Sequence, residues 1–299
     1  MSDKVKAAVS AHYDGEVDLY TNMYDKAYLE KSGTYPSNYI RLGILNNRLS
    51  ALNAKRIFEV GMGEGSPLLN WSKMGMEVAG CDLSAPMVAS TVARLEREGV
   101  KGAVLFVGDA EDAVTLAPAL QSGKYDAIVA SGVLPHIQNE PAFFNNLKML
   151  LRPGGRIFVE FRNKLFSLFT MNRYTKEFIL DDLLAGVPAD TKKLVAEELD
   201  RRLATTLPAM RSHDDQNRPN YDQILAKFHN HFELGEEVVK YGFRTIGFHW
   251  YHYHAAPPML ASEVGQNFRV DSMRLENEGS WRGMFLSSAG IIEAELLQG

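Results

Sequence analysis

The sequence predicts an α/β protein: a doubly wound, mostly parallel sheet of seven strands, with an N-terminal helical cap and an inserted helical lid. Three observations carry that prediction. Short, near-continuously apolar runs recur between about residues 55 and 161, as strands covered on both faces require. Segments with helical start and stop signals separate them. The alternation of the two is the pattern of βαβ units in a parallel sheet.

Residues 1–52 read as a mostly helical, tyrosine-rich cap, with Tyr13, Tyr20, Tyr24, Tyr28, Tyr35 and Tyr39. Residues 53–162 hold the core. Its first strand, 56–60, ends in glycines. Residues 76–81, 104–107, 125–130 and 156–161 are the second to fifth strands. Ser84 can N-cap a helix to about residue 98, with Pro86 in the first turn, where a missing N–H costs little, and Gly99 as the stop. Pro141 opens a helix to residue 151, ended by Arg152-Pro153-Gly154-Gly155. Residues 163–232 read as a helical lid inserted between the fifth and sixth strands, with a polar, mobile stretch at 211–220. Residues 233–299 complete the sheet through a helix at about 235–241, a strand at 243–254 and a final strand at about 283–296.

Composition bounds the chemistry. The 299 residues are 45% hydrophobic and 23% charged, which excludes a disordered or fibrous chain. A net charge of -5 disfavours nucleic acid, whose binders are normally basic. The single cysteine, Cys81, excludes an internal disulfide framework and fits a reducing compartment. No apolar run reaches the ~20 residues that span a bilayer, and the first residues lack the apolar core of a secretory signal. The expectation is a soluble, cytoplasmic protein with no nucleic-acid or membrane partner; the oligomeric state stays open.

Glu59-Val60-Gly61-Met62-Gly63-Glu64-Gly65 closes the first strand. Glycines there permit a tight turn and close approach of backbone to a ligand. A dinucleotide fingerprint would need glycine where Ser66 stands, and a phosphate loop would end in Gly-Lys-Ser/Thr. Glu59 would repel a pyrophosphate; it suits bound water or the amino group of an amino-acid-bearing ligand.

This Glu-x-Gly-x-Gly-x-Gly run resembles the first motif of class I S-adenosylmethionine-dependent methyltransferases. Later motifs agree in order and spacing: Cys81-Asp82-Leu83-Ser84, Gly108-Asp109-Ala110-Glu111, Tyr125-Asp126-Ala127-Ile128, Ser131-Gly132-Val133-Leu134-Pro135-His136-Ile137 and Leu151-Arg152-Pro153-Gly154-Gly155-Arg156. The resemblance spans about residues 55–161, a third of the chain, and is greatest to small-molecule methyltransferases, including those of quinone biosynthesis. It implies a Rossmann-like methyltransferase fold, S-adenosylmethionine as cofactor and S-adenosylhomocysteine as product. It also implies that Glu59, Gly61, Met62, Gly63 and Gly65 form the cofactor loop. Asp82, with Leu83 and Met87, would take the ribose; Asp109, Ala110 and Glu111 the adenine. Ser131, Gly132 and Val133 would lie beside the reactive centre. Plainer readings stand beside these. Asp82 can start a turn, Asp109 can N-cap a helix with Asp112 three residues on, and 131–133 can be an ordinary strand end.

Methyl transfer from a sulfonium is an in-line displacement, dominated by positioning and desolvation. A hydroxyl acceptor needs a base; an amine needs a path for its proton. His136, at the carboxyl end of the fourth strand, is the base candidate, against the reading of a packed loop histidine. Tyr13 is the second catalytic candidate. Tyr13 and Tyr20 stand seven residues apart, a spacing that puts both on one helical face. The resemblance implies an N-terminal helix with tyrosines folded over the cofactor, with Tyr20 a contact; Arg41 is the candidate partner for the cofactor carboxylate, against the reading of a surface arginine. Residues 162–174 mix aromatics with Arg162, Lys164 and Arg173, which suits a polar or anionic small substrate. Arg162, Asn163 and Tyr174 are the named contacts. His252 and His254 share a strand face with Trp250, and two such histidines can ligate a metal, but no tight ligand spacing supports one. His229 and His252 are therefore read as substrate contacts, and no metal is expected.

The expected activity is transfer of a methyl group from S-adenosylmethionine to an oxygen or nitrogen of a small-molecule metabolite. A carbon-methylating or aminopropyl-transferring enzyme on the same fold, and a non-catalytic regulator or scaffold, are the alternatives. The chain lacks the Asp/Asn-Pro-Pro-Tyr/Phe and Pro-Cys signatures of DNA methylation, which again disfavours nucleic acid.

Overall fold

Side-chain alternation along the central strands sorts the core onto two faces. The strands of the computed structural model are β1 (Arg56–Val60), β2 (Glu77–Asp82), β3 (Val104–Val107), β4 (Tyr125–Ala130), β5 (Leu151–Arg162), β6 (Phe243–Tyr253) and β7 (Ser287–Leu296). Residues 2–14, 16–208, 219 and 221–297 are described. Phe58, Ile128, Ile157 and Val159 join one apolar cluster, with Phe143, Phe144 and Leu147. Their neighbours Ile57, Ala127, Val129 and Phe158 join the other, with Leu45, Leu49 and Trp71. A strand buried on both faces in this way is apolar at every position, which is why 125–130 reads as a continuous run.

The strands form one sheet in the order β3-β2-β1-β4-β5-β7-β6. β1 pairs parallel with β2 and β4; β7 runs antiparallel between β5 and β6. The winding reverses between β1 and β4. A crevice opens outside the carboxyl ends at such a switch point.

Helices α1 (Ser2–Tyr13), α2 (Val17–Asn22), α3 (Lys26–Ser32) and α4 (Ser37–Ala51) precede the sheet. α5 (Ser66–Lys73), α6 (Ala85–Arg97), α7 (Ala117–Gln121) and α8 (Glu140–Leu150) alternate with the parallel strands. The predicted signals act where they were read: Ser84 accepts from Met87 N at 3.2 Å, and Gly99 adopts a φ of 74° just past α6. α9 (Ser167–Thr170), α10 (Arg173–Glu177) and α11 (Ala189–Arg202) lie between β5 and α12 (His231–Lys240). The polar stretch expected at 211–220 lies, apart from Pro219, outside the described residues.

The structure corrects four details. Tyr13 and Tyr20 do not share one helix: α1 ends at Tyr13, Tyr20 lies in α2, and the two rings meet edge to face at 6.0 Å. Asp109 caps a turn, accepting from Glu111 N at 2.8 Å, and the next helix begins only at Ala117. The final strand starts at Ser287, after a second helical excursion of α13 (Ala261–Val264), α14 (Gln266–Leu275) and α15 (Gly283–Leu286) that the sequence did not suggest. Trp250 packs against Phe161 and His231, while His252, at a φ of 61°, leaves the strand alternation.

One buried carboxylate ties the cap to the sheet. Glu293 of β7 is fully buried and accepts from Arg48 of α4 at 2.8 Å, from His249 of β6 at 2.9 Å and from Arg156 of β5. Burial opposes its charge, but hydrogen bonds from His249, Arg48 and Arg156 prevail and hold its carboxyl down at about 2.

Candidate active site

The glycine loop is built by contact. Gly61 has a φ of 66°, and a Cβ there would stand 2.4 Å from Val133 Cγ2. Gly65 has a φ of 85°, and a Cβ would stand 2.7 Å from Thr91 Cγ2. Only glycine meets both demands without displacing a neighbour. Thr91 Oγ1 donates to Gly63 O at 2.7 Å, and Gly61 N donates to Cys81 O at 2.8 Å. The loop is thereby pinned to α6 and β2.

It edges a cavity of about 520 Å³ at the switch point, within the usual range for a small-molecule site. From β2 and the turn into α6 come Asp82, Leu83 and Met87; from the loop after β3, Asp109, Ala110 and Glu111. Ser131, Gly132, Val133 and His136 close the β4 side; Tyr13, Tyr20 and Arg41 come from the cap. Asp82 Oδ2 accepts from Gly63 N and Oδ1 from Ser84 N, both at 2.9 Å. Burial raises its pKa despite those donors. Lys6 of α1 reaches over the rim to Asp109 at 2.6 Å and Glu111 at 3.3 Å.

Glu59, Met62 and Gly65 do not line the cavity; they stand behind it. Met62 is buried, its sulfur in the space a Cβ on Gly80 would need. Glu59 is buried with Oε2 lacking a hydrogen-bond partner among the described residues. Burial pushes its pKa well up, Arg41 opposes that rise, and Glu64 and Asp82 add to it. An orphaned carboxyl behind the glycine turn, with Asp82 and Asp109 on the cavity wall, is a set of acceptors that fits a ligand carrying an ammonium group, a diol and an aromatic amine.

His136 is oriented from both sides. Its Nδ1 meets the Leu225 carbonyl, an acceptor only, so Nδ1 carries the proton. Nε2 is then an acceptor, 3.0 Å from the Tyr13 hydroxyl. Burial lowers the His136 pKa and outweighs the Leu225 carbonyl, so the ring stays neutral at neutral pH. Burial raises the Tyr13 pKa, which keeps that hydroxyl protonated.

A second cavity of about 510 Å³ adjoins the first. Ser37, Asn38, Glu160 and Arg162 line both. Tyr174 and His252 line the second alone. Arg41, on the first lining, pairs with Glu160 at the junction at 2.5 Å and donates to the Tyr24 hydroxyl at 2.8 Å. Asn163 and His229, expected as substrate contacts, lie outside both linings. Asn163 is buried and its amide donates to the carbonyls of Met284 at 2.8 Å and Ser287 at 2.9 Å, which knits β5 to the end of α15. His229 faces Glu140 at 3.2 Å, beside Lys227. Among the described residues no group of three or more His, Cys, Asp or Glu can hold a metal ion.

The sequence reading missed Glu160, Lys6 and the α4 start, Ser37-Asn38. Glu160 had a signal: an acid near the carboxyl end of an otherwise apolar strand, two residues before Arg162. Lys6 and Ser37 had none, because their place depends on how the cap folds back.

The family model described as a methyltransferase domain matches residues 58–159. The ubiquinone biosynthesis O-methyltransferase of Pectobacterium carotovorum subsp. carotovorum (strain PC1) is 26% identical over 214 residues, 70% of this chain and 82% of that protein. Its namesake from Xanthomonas oryzae pv. oryzae (strain PXO99A) is 26% identical over 182 residues, 60% of this chain and 74% of that protein. Among solved structures, magnesium protoporphyrin IX methyltransferase from Synechocystis PCC 6803 with bound S-adenosylhomocysteine superposes with a TM-score of 0.55. It is 15% identical and covers 97% of this chain and 99% of its own. At that identity the likeness shows the fold.

Fold, loop and matched domain define an α/β methyltransferase. The enzyme is an S-adenosylmethionine-dependent methyltransferase whose residues 58–159 match the methyltransferase domain. No helix among the described residues is long and apolar enough to cross a membrane.

Proposed function

We propose that this enzyme methylates an oxygen of a small-molecule metabolite. The observation that carries the reading is His136: a neutral imidazole with its accepting nitrogen in the cleft, in a cavity that opens into a second chamber. S-adenosylmethionine, when bound, supplies a methyl group on an electrophilic sulfonium. Asp82 and Asp109 would hold its nucleoside, and the backbone of Gly61 and Gly63 allows close approach. His136 Nε2 takes the proton of an acceptor hydroxyl in place of the Tyr13 hydroxyl it now faces. The cap helices and Tyr13, Tyr20 and Tyr24 keep water from the reacting atoms. Curated relatives named as O-methyltransferases support oxygen over nitrogen as the acceptor atom. The single cysteine, buried in β2, supports a reducing, cytoplasmic setting.

The test is incubation with methyl-labelled S-adenosylmethionine and a panel of hydroxylated and aminated small molecules. The reading expects label as a methyl ether or ester. Label on nitrogen or carbon, or an aminopropylated product, contradicts it.

A further inference from the structure

The second cavity has aromatic walls and an unbalanced charge. Phe166, Tyr174, Phe228, Tyr251 and His252 line it, with Glu160 and Arg162 as its charged side chains among the described residues. Glu160 is committed: it pairs with Arg41 and accepts from the Tyr251 hydroxyl. Arg162 has no carboxylate within ion-pair distance among the described residues. Its guanidinium lies 4.3 Å over the Tyr221 ring and 5.9 Å from that of Phe228. Both rings belong to the inserted segment, so the cation is held toward the lid.

His252 is the second feature. A non-glycine residue at a φ of 61° is costly and persists where its surroundings impose it. Here Glu276 accepts from Tyr253 N at 3.0 Å and from the Tyr35 hydroxyl, while the Tyr35 ring stacks on His252 at 4.8 Å. The His254 ring stacks at 5.0 Å. Burial, with His254 and Arg162 adding to it, lowers the His252 pKa to about 3, so the ring is neutral and offers one donor and one acceptor. No side-chain hydrogen bond of the described residues uses either nitrogen.

We infer that the second cavity is the acceptor site and selects an aromatic substrate with an anionic group, the anion on the Arg162 guanidinium and a polar substituent on His252. This rests on the methyltransferase reading above. A planar guanidinium forms paired hydrogen bonds with a carboxylate. The aromatic walls suit a flat ring. The anion also supplies the charge that Glu160, spent on Arg41, cannot.

The test is calorimetric titration of the full chain saturated with S-adenosylhomocysteine. The probes are hydroxybenzoates, hydroxycinnamates and hydroxynaphthoates, each against its primary amide, beginning with 3,4-dihydroxybenzoate and 3,4-dihydroxybenzamide. At least one carboxylate should bind tenfold or more tighter than its amide. Arg162→Met should abolish that preference and leave S-adenosylhomocysteine affinity within threefold. Arg162→Lys should keep part of the preference, and it carries the test if the Met variant fails to fold. His252→Phe should weaken carboxylate and amide alike. Equal binding of every acid–amide pair, or no binding by any carboxylate, overturns the inference. So does a loss of S-adenosylhomocysteine affinity in the Arg162 variants, which would assign the cation to the cofactor. Failure of the wild-type chain to bind S-adenosylhomocysteine would instead count against the methyltransferase reading itself.

Discussion

Gly61→Ala separates two reasons for a glycine in the loop after β1. Alanine at a φ of 66° carries a left-handed backbone cost of about 1–2 kcal/mol. Its Cβ would also stand 2.4 Å from Val133 Cγ2, far inside carbon–carbon contact, and overpacking of that kind costs about 1–3 kcal/mol. Gly63 is the internal control. Its φ is 55°, but a Cβ there meets nothing within 4 Å, so Gly63→Ala should lose only the backbone part. The expected difference is the clash, about 1–3 kcal/mol, read as a midpoint lower by about 1.6 °C per kcal/mol in a chain of this size. Thermal unfolding of the single variants and of Gly61→Ala/Val133→Ala makes a double-mutant cycle. The double variant should recover the clash part, because it removes the methyl that the new Cβ strikes. S-adenosylhomocysteine affinity should fall in Gly61→Ala and recover partly in the double variant, since Val133 lines the cavity. Equal losses at 61 and 63, or a cycle with no coupling, would refute the steric account of the loop.

Three further outcomes follow from the same structure. Glu293→Gln should destabilise the fold by about 3 kcal/mol or more, because Arg48 and Arg156 lose their shared buried counter-charge. Its folded pKa lies below the unfolded value, so its contribution is complete above about pH 4.5 and fades as pH falls toward 2; the variant should show a shallower acid-unfolding curve by circular dichroism. An NMR titration should find His136 below the ordinary 6.5, with the proton on Nδ1, and a higher value or the other tautomer would remove the case for a ready base. Lys6→Met should speed hydrogen exchange across α1 while costing under about 1 kcal/mol of global stability, since its ion pairs are partly exposed.

The sheet was legible because strands buried on both faces must be apolar throughout, so β4 and its neighbours stand out without reference to anything distant. The loop was legible because glycine at 61 and 65 answers a local demand for positive φ and missing Cβ. Asp82 and Asp109 were legible from their place after strands. Asn163 misled because adjacency to β5 suggested the rim, whereas its amide is consumed by carbonyls about 120 residues away. Tyr13 and Tyr20 misled in detail, since helical spacing cannot reveal that α1 ends at Tyr13 and Tyr20 belongs to α2. The pairing of Glu160 with Arg41 was illegible, although Glu160 itself stands out as an acid in an apolar strand, because it depends on how the cap folds onto β5; the Tyr35–Glu276–His252 arrangement was illegible because it joins the cap to the last quarter of the chain and no local pattern marks it.

The most direct measurement is a crystal structure of the chain with S-adenosylhomocysteine. The account predicts the ligand in the 520 Å³ cavity, its ribose hydroxyls on Asp82, its adenine beside Asp109 and its sulfur turned toward the junction at Glu160 and Arg162. A ligand bound elsewhere, or one whose sulfur faces away from the second cavity, would contradict it.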